Sequence, residues 1–438
     1  MVGGIIGLGL ISYATYEFLK QRDNANDICN SKELKSLMGD GIKLSSNVRL
    51  SVKQSNTHIL MVAPSESGKS RKFVMHNVNS LTNCSMIVTD PSGEIETTCK
   101  PTQKKYILNP FRDDTIGYDP LSSCKDEFEV RKIANVILLN GMNANSDKNK
   151  TNQKDWVGMA TPLLKAYMLM NYYTKKYTFD EMIRRICTMP LMPEQVKDKN
   201  GKDVVIQSIF NEIITSGVES AITEILAFKQ VIAARETLSS IRTVMNTCLQ
   251  VFLDKNLKKV FRKPNIDLSQ IRKEESIVYI QIPEHHSEYF SPLVATFLTQ
   301  MFDNYLENDG LQMYFIFDEF ANIGIIPNIC RLLSTARKHC MSIVAAIQSI
   351  NQLITLYGES QAKELVELFK TLIVCGGLKD SAEYVSNLLG TREEYRKENK
   401  YITPLMTPDE IRRLSKDDVL IVCNNKRPVI DRMMDIVA

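Results

Sequence analysis

Apolar residues recur in two rhythms along this chain. The run His58-Ile59-Leu60-Met61-Val62 is unbroken and of strand length, which reads as a buried strand. Gly68 to Leu81 then reads as a helix. Ser85-Met86-Ile87-Val88-Thr89-Asp90 is a second core strand, stopped by Pro91-Ser92-Gly93, and Lys105-Tyr106-Ile107-Leu108 is a third, stopped by Asn109-Pro110. Strands alternating with helices imply an α/β fold with a mostly parallel sheet, whose functional loops lie at the carboxyl ends of the strands. From about Ser122 to Arg262 the rhythm changes: Val130, Ala134, Ile137 and Leu138, or Ile209, Ile213 and Ile214, recur at helical spacing, and β-type alternation is absent. An all-α domain inserted over 122–262 is predicted, with Asn145 to Lys154 and Lys197 to Asp203 polar enough to be exposed loops. Strands return at Ser276 to Ile282, so the sheet is interrupted (21–121) and then completed (263–438).

The first strand delivers the chain to Ala63-Pro64-Ser65-Glu66-Ser67-Gly68-Lys69-Ser70, which fits the phosphate-binding P-loop pattern. Backbone N–H groups and a helix start would converge there on phosphate oxygens. Gly68 lets the backbone approach, Lys69 would reach the β/γ-phosphates of ATP, and the Ser70 hydroxyl would take one place on Mg²⁺. Ala63 stands where the pattern usually has Gly, which is tolerable if its φ is negative. Glu66 puts a carboxylate in the cradle and should weaken affinity. Alone, the octet also fits an ordinary Gly-containing strand-to-helix turn.

The second half of such a site lies 249 residues on. Leu311 to Phe317 is an apolar strand ending in Asp318-Glu319, an aspartate to hold the Mg²⁺ shell and a glutamate to polarise the attacking water. Ser342 to Ile347 is a further strand ending in Gln348, whose amide would sense the γ-phosphate; the alternative is a solvent-facing strand terminus.

The N-terminus differs from the rest. Val2 to Leu19 is apolar apart from Ser12, Thr15 and Glu17 and is followed by Lys20 and Arg22. Eighteen helical residues cover roughly 27 Å, a minimal membrane span, and basic residues on its C-terminal side place the body of the protein in the cytoplasm. A signal sequence and a buried helix are the competing readings of residues 1–20.

Composition refines this picture in two places. The net charge of +3 hides an asymmetry, because residues 122–262 hold 21 Lys and Arg against 15 Asp and Glu, or +6. Such a segment suits nucleic acid, and it equally suits dispersed lysines on solvated helices. Ten cysteines without a C-x-x-C pair, and five histidines without ligand spacing, read as reduced thiols and no zinc site.

Several runs together resemble the TraG/TraD-type coupling proteins of type IV secretion. They are Phe317-Asp318-Glu319-Phe320-Ala321-Asn322-Ile323-Gly324-Ile325-Ile326-Pro327, then Ala336-Arg337-Lys338, then Gln348-Ser349-Ile350-Asn351-Gln352-Leu353 and Tyr357-Gly358. Val88 to Glu94, Asn109-Pro110-Phe111 and Asp119-Pro120-Leu121 match that family in kind and order, so the resemblance covers roughly 30–121 and 263–425. It implies a RecA-like, homohexameric P-loop ATPase, anchored in the cytoplasmic membrane, that recruits relaxase-bound DNA or secreted proteins and feeds them to a type IV secretion channel. It also implies that the insertion is the family's all-α domain contacting substrate, and that Arg337 is an arginine finger offered to a neighbouring subunit, the alternative being a surface arginine in a helix. The family usually has two membrane segments where this chain has one, as a single-pass form or a chain missing its beginning would. A double-stranded DNA pump and an ATP-binding docking platform with little turnover are the competing functions. Joining Leu121 to Lys263 is expected to leave the sheet intact.

Overall fold

The computed structural model describes residues 37–145, 153–197, 203–231, 235–307, 309–396, 399–423 and 426–437. The membrane segment expected over 1–20 lies outside these residues, and no described helix is long and apolar enough to cross a membrane.

Thirteen strands occur among the described residues: β1 Ile59–Val62, β2 Cys84–Thr89, β3 Lys104–Leu108, β4 Glu194–Lys197, β5 Asp203–Ile206, β6 Ser276–Ile280, β7 Gln312–Phe317, β8 Met341–Ile347, β9 Thr371–Cys375, β10 Thr391–Arg396, β11 Asn399–Pro404, β12 Asp418–Cys423 and β13 Val429–Arg432. Nine form one sheet in the order β13-β12-β9-β1-β8-β7-β2-β6-β3. Neighbours from β9 to β3 are parallel, while β12 runs antiparallel to both β9 and β13. A parallel strand covered on both faces must be apolar throughout, and β1, β2, β6, β8 and β9 are buried at every residue. Alternation sorts their side chains between two cores. Leu60 and Val62 face the core that includes the helical segment, whereas Ile59, Met61 and Ala63 face the other.

The register sets the site. Val62 lies opposite both Ile347 and Val374, so the loops that leave β1, β8 and β9 emerge side by side at one carboxyl edge.

Between β3 and β6 the chain is mostly helical, with long helices at Glu127–Asn145, Gln153–Thr174, Glu219–Val231 and Arg235–Leu249. The Glu127–Asn145 helix packs on Ser287–Glu307, which in turn lies on the sheet, with Phe302 and Phe315 ring centroids 4.3 Å apart. The two ends of the segment are adjacent. Ile266 N–H donates to Gly117 O at 2.9 Å and Tyr118 N–H to Val260 O at 3.1 Å, and a Cβ on Gly117 would lie 2.2 Å from Pro264 O.

One expectation is corrected here. The segment is not all-α, because β4 and β5 pair antiparallel within it; the loop expected over Lys197 to Asp203 falls between these strands, and its residues 198–202 lie outside the described residues. These strands are four residues long, too short for apolar alternation to register, yet Asn200-Gly201 between them is a strong hairpin dipeptide in sequence.

Candidate nucleotide-binding site

The loop after β1 turns on two left-handed residues. Gly68 has φ 83° and caps a helix that begins at Lys69, where a Cβ would come within 3.0 Å of the Lys72 side chain. Glu66 has φ 62°, a conformation that disfavours a side chain, and it is exposed. Ala63 is fully buried, donates its N–H to Ile347 O at 2.9 Å and does not have a positive φ, so the condition for replacing glycine there is met. The helix opens wide, with Met75 N–H reaching back five residues to Ser70 O.

The expected residues meet around this loop. Lys69 Nζ lies 2.6 Å from Glu319 Oε2, and Ser70 Oγ donates to Asp318 Oδ2 at 2.7 Å. Gln348 Nε2 donates to the same Glu319 oxygen at 3.0 Å and its Oε1 accepts from Ser65 Oγ at 3.1 Å. Residues from the tips of three strands therefore form one connected network: the P-loop after β1, the carboxylates after β7 and the amide after β8. Arg337 is not part of it. It is exposed in the turn before β8, at the amino edge of the sheet, and seven residues of strand put it about 23 Å from the phosphate loop. It lies near His58, whose imidazole burial drives down to about 4, with the Leu333 carbonyl opposing and the Arg337 charge adding to the fall.

Burial and pairing define what this network can hold. Asp318 and Glu319 are 9 % and 4 % exposed, and each keeps one buried carboxylate oxygen, Asp318 Oδ1 and Glu319 Oε1, with no hydrogen-bond partner. Burial pushes the Asp318 carboxyl up to about 6, against the pull of the Ser70 hydrogen bond and the Lys69 charge. Buried anionic oxygens without partners call for a cation or ordered water. A carboxylate beside a serine hydroxyl is the hard oxygen set that Mg²⁺ takes together with phosphate oxygens, so the residues present fit that ion.

Two contributors escaped the sequence reading. Thr89, at the tip of β2, accepts the Asp318 N–H through Oγ1 at 2.9 Å and fixes the carboxylate's backbone. Asp90 beside it is fully buried and turns inward, accepting from Ile95 N–H, Glu96 N–H and Gln281 Nε2. Its role is to cap the Glu94–Thr98 helix. The other residue is Asn140, on the Glu127–Asn145 helix. It receives Ile325 N–H at 2.6 Å and donates to Ile325 O at 3.0 Å, six residues beyond Glu319. A cavity of about 930 Å³ is walled by Asn140, Asn143, Ala321, Asn322, Gln352 and Tyr357 among others, so it borders the loop that follows the carboxylates.

Comparison with known proteins accords with this geometry. No curated protein matches by sequence. The plasmid coupling protein TrwB, in complex with the non-hydrolysable GTP analogue GDPNP, superimposes with a TM-score of 0.74 at 17% identity, covering 93% of this chain and 92% of that one. TrwB in complex with ADP and Mg²⁺ gives 0.73 at the same identity and coverage. VirB4 of Thermoanaerobacter pseudethanolicus gives 0.54 at 11% identity, covering 91% of this chain and 97% of its own. A family model described as type IV secretory system conjugative DNA transfer matches residues 30–434, nearly the whole chain, and this protein is a member of that family.

Proposed function

We propose that this chain is the ATPase of a conjugative coupling complex, which binds Mg²⁺-ATP at the loop Ala63 to Ser70 and uses its hydrolysis to move relaxase-bound DNA or secreted proteins toward a type IV secretion channel. The observation that carries this reading is the junction of Lys69, Ser70, Asp318, Glu319 and Gln348 in one hydrogen-bonded network with two partnerless carboxylate oxygens. The ADP and Mg²⁺ of the TrwB complex support the same ligands here.

In this reading the P-loop amides and Lys69 hold the β/γ-phosphates, and Ser70 and Asp318 hold the metal. Magnesium supplies charge neutralisation across the phosphates when bound. Glu319 orients and deprotonates the attacking water, and Gln348, hydrogen-bonded to the same Glu319 oxygen, keeps that carboxylate aimed and reads the γ-phosphate. Little covalent chemistry falls to the protein, so positioning and electrostatic stabilisation do most of the work. The proposal includes a division into a membrane anchor over 1–20, a RecA-like body over 21–121 and 263–438, and a substrate-contacting insertion over 122–262, assembled as a hexamer with its body in the cytoplasm.

Steady-state ATP hydrolysis with and without DNA tests the proposal. Turnover that rises with DNA and vanishes in Glu319→Gln is expected. A wild-type protein that binds ATP yet shows no turnover above the Glu319→Gln background would overturn it.

A further inference from the structure

The segment 122–262 and its exit carry an uneven concentration of charge. Lys255, Lys258, Lys259, Arg262 and Lys263 wall a concavity of about 420 Å³ around the Leu257–Arg262 helix. Three of these five side chains have partners. Lys259 pairs with the fully exposed Asp113 at 3.3 Å, Arg262 reaches the buried Asp180 at 3.5 Å, and Lys263 donates to the backbone carbonyls of Asp113 and Thr115. Lys255 and Lys258 are exposed and make no salt bridge among the described residues. Asp254, the chain neighbour of Lys255, accepts from Asn256. Five cations thus face three carboxylates, two of them engaged with the same cluster.

The place of this cradle in the fold separates it from the ATP site. Asp113 and Thr115 follow β3, the edge strand, while the P-loop follows β1, five strands away. At strand spacing the two are about 24 Å apart. The Leu257–Arg262 helix, which carries Lys258, Lys259 and Arg262, is anchored by Leu257, Val260 and Phe261, which are buried in the core. The cations therefore sit on a rigid base and point outward.

We propose that this concavity binds the phosphate backbone of nucleic acid without reading its sequence, a proposal that rests on the DNA-transfer function above. The lining decides the class of recognition. It offers only ammonium and guanidinium groups, with no amide and no aromatic ring to read or stack a base, and phosphate contacts position a strand without specifying it. The +6 balance of residues 122–262 includes four of the five cations, so the dispersed charge of the sequence becomes a local site at the segment's exit.

Fluorescence anisotropy of the full chain in detergent, with a labelled mixed-sequence oligonucleotide titrated across salt concentrations, tests this. Each phosphate contact contributes roughly 0.7 to 0.9 to the log–log salt slope, so Lys255→Glu/Lys258→Glu should lower the slope by roughly 2 and weaken binding about tenfold or more near 100 mM salt. Lys255→Gln/Lys258→Gln should give half to all of the slope change without reversing charge, and thermal unfolding identifies variants that fold as the wild type does. Unchanged slope and affinity in both folded variants, with the wild type binding DNA, would place the contact elsewhere and leave the transfer function standing. A wild type that binds no oligonucleotide at low salt would overturn both. Equal displacement by polyglutamate at matched charge would assign the cradle to an acidic protein surface and overturn the nucleic-acid proposal.

Discussion

Lys69 and Glu319 are 2.6 Å apart with side chains 15% and 5% exposed, so one residue's role cannot be removed without disturbing the other. Lys69→Ala leaves the Glu319 carboxylate buried beside an amide alone. Breaking a buried pair this way costs about 3 kcal/mol or more, so this variant should lose nucleotide binding and also melt earlier. Glu319→Gln instead keeps a hydrogen bond to Lys69 while freeing its charge for phosphate. It should bind ATP at least as tightly as wild type and lose turnover about a hundredfold, read by fluorescent-nucleotide titration beside phosphate release. Equal loss of binding in both variants would contradict the role given to Glu319. Glu66 offers a cleaner substitution. Its φ of 62° costs about 1 kcal/mol with a side chain present, a strain Gly lacks, and glycine's larger unfolded-state entropy offsets most of that gain. Glu66→Gly should leave the melting temperature nearly unchanged and tighten ATP binding roughly tenfold by removing a carboxylate near the phosphates. Glu66→Gln should recover most of the same gain, which isolates charge from backbone.

At the scale of elements, the strands nearest the chemistry were legible and the sheet's far edge was not. β1, β2, β6, β7 and β8 are continuous apolar runs ending in turn or acidic residues, and that pattern marks parallel strands buried on both faces. β9, with its run Thr371 to Cys375, is equally apolar but ends in Gly376-Gly377 with no chemical residue to draw notice, and β12 and β13 owe their place to antiparallel pairing that local sequence does not encode. The P-loop, the carboxylates and Gln348 were legible because each is punctuated by a strand end. Asn140 was not, since a single polar residue on an apolar helix face takes its meaning from Ile325, 185 residues away. Its two bonds tie the helical segment to the loop that carries Glu319, and a Cβ on Gly324 would meet its Oδ1 at 2.6 Å. Asn140→Leu should therefore lower kcat severalfold with little change in nucleotide affinity, and Gly324→Ala should reproduce the split from the other side; parallel falls in binding would make the contact merely structural. Another buried polar group stabilises the helical segment itself. Burial raises the Glu212 carboxyl, but hydrogen bonds from Lys176, Tyr177, Arg185 and Tyr167 outweigh it and hold the group down at about 2. A folded value below the unfolded one stabilises above about pH 4.5 and loses that contribution as pH falls toward 2. At about 1.4 kcal/mol per unit this is about 3 kcal/mol. Glu212→Gln should lower the melting temperature at pH 7 and differ progressively less from wild type as pH approaches 2.

For the whole molecule, the distribution of the core changes what a deletion can mean. One continuous apolar cluster joins Leu60 and Val62 of β1 to Val130, Ile137 and Leu164 of the helical segment, by way of Phe290, Leu293 and Phe297 of the Ser287–Glu307 helix. The segment's ends do meet, as a linker between Leu121 and Lys263 requires, but excising 122–262 would strip the outer face of that helix and release Asn140 from Ile325. Such a protein should aggregate or melt early rather than retain an intact sheet, so point variants are the sound probe of the segment. The position of Arg337 makes a stronger demand on the whole assembly. It stands on the amino edge, about 23 Å from its own phosphate loop, and a side chain with a reach of roughly 7 Å cannot cross that distance within one subunit. An arginine finger at this position would serve the ATP of a neighbour, in a head-to-tail ring where every site combines the loop of one copy with the arginine of the next. Arg337→Ala protein keeps an intact loop, and Glu319→Gln protein keeps an intact arginine and its fold. Neither should hydrolyse ATP alone. Mixed in equal amounts and allowed to co-assemble, they should form competent interfaces at about a quarter of positions and recover a corresponding fraction of wild-type turnover. No recovery at any ratio, with mixed assemblies verified by light scattering and differential tags, would remove Arg337 from the chemistry and leave it as a surface residue beside His58.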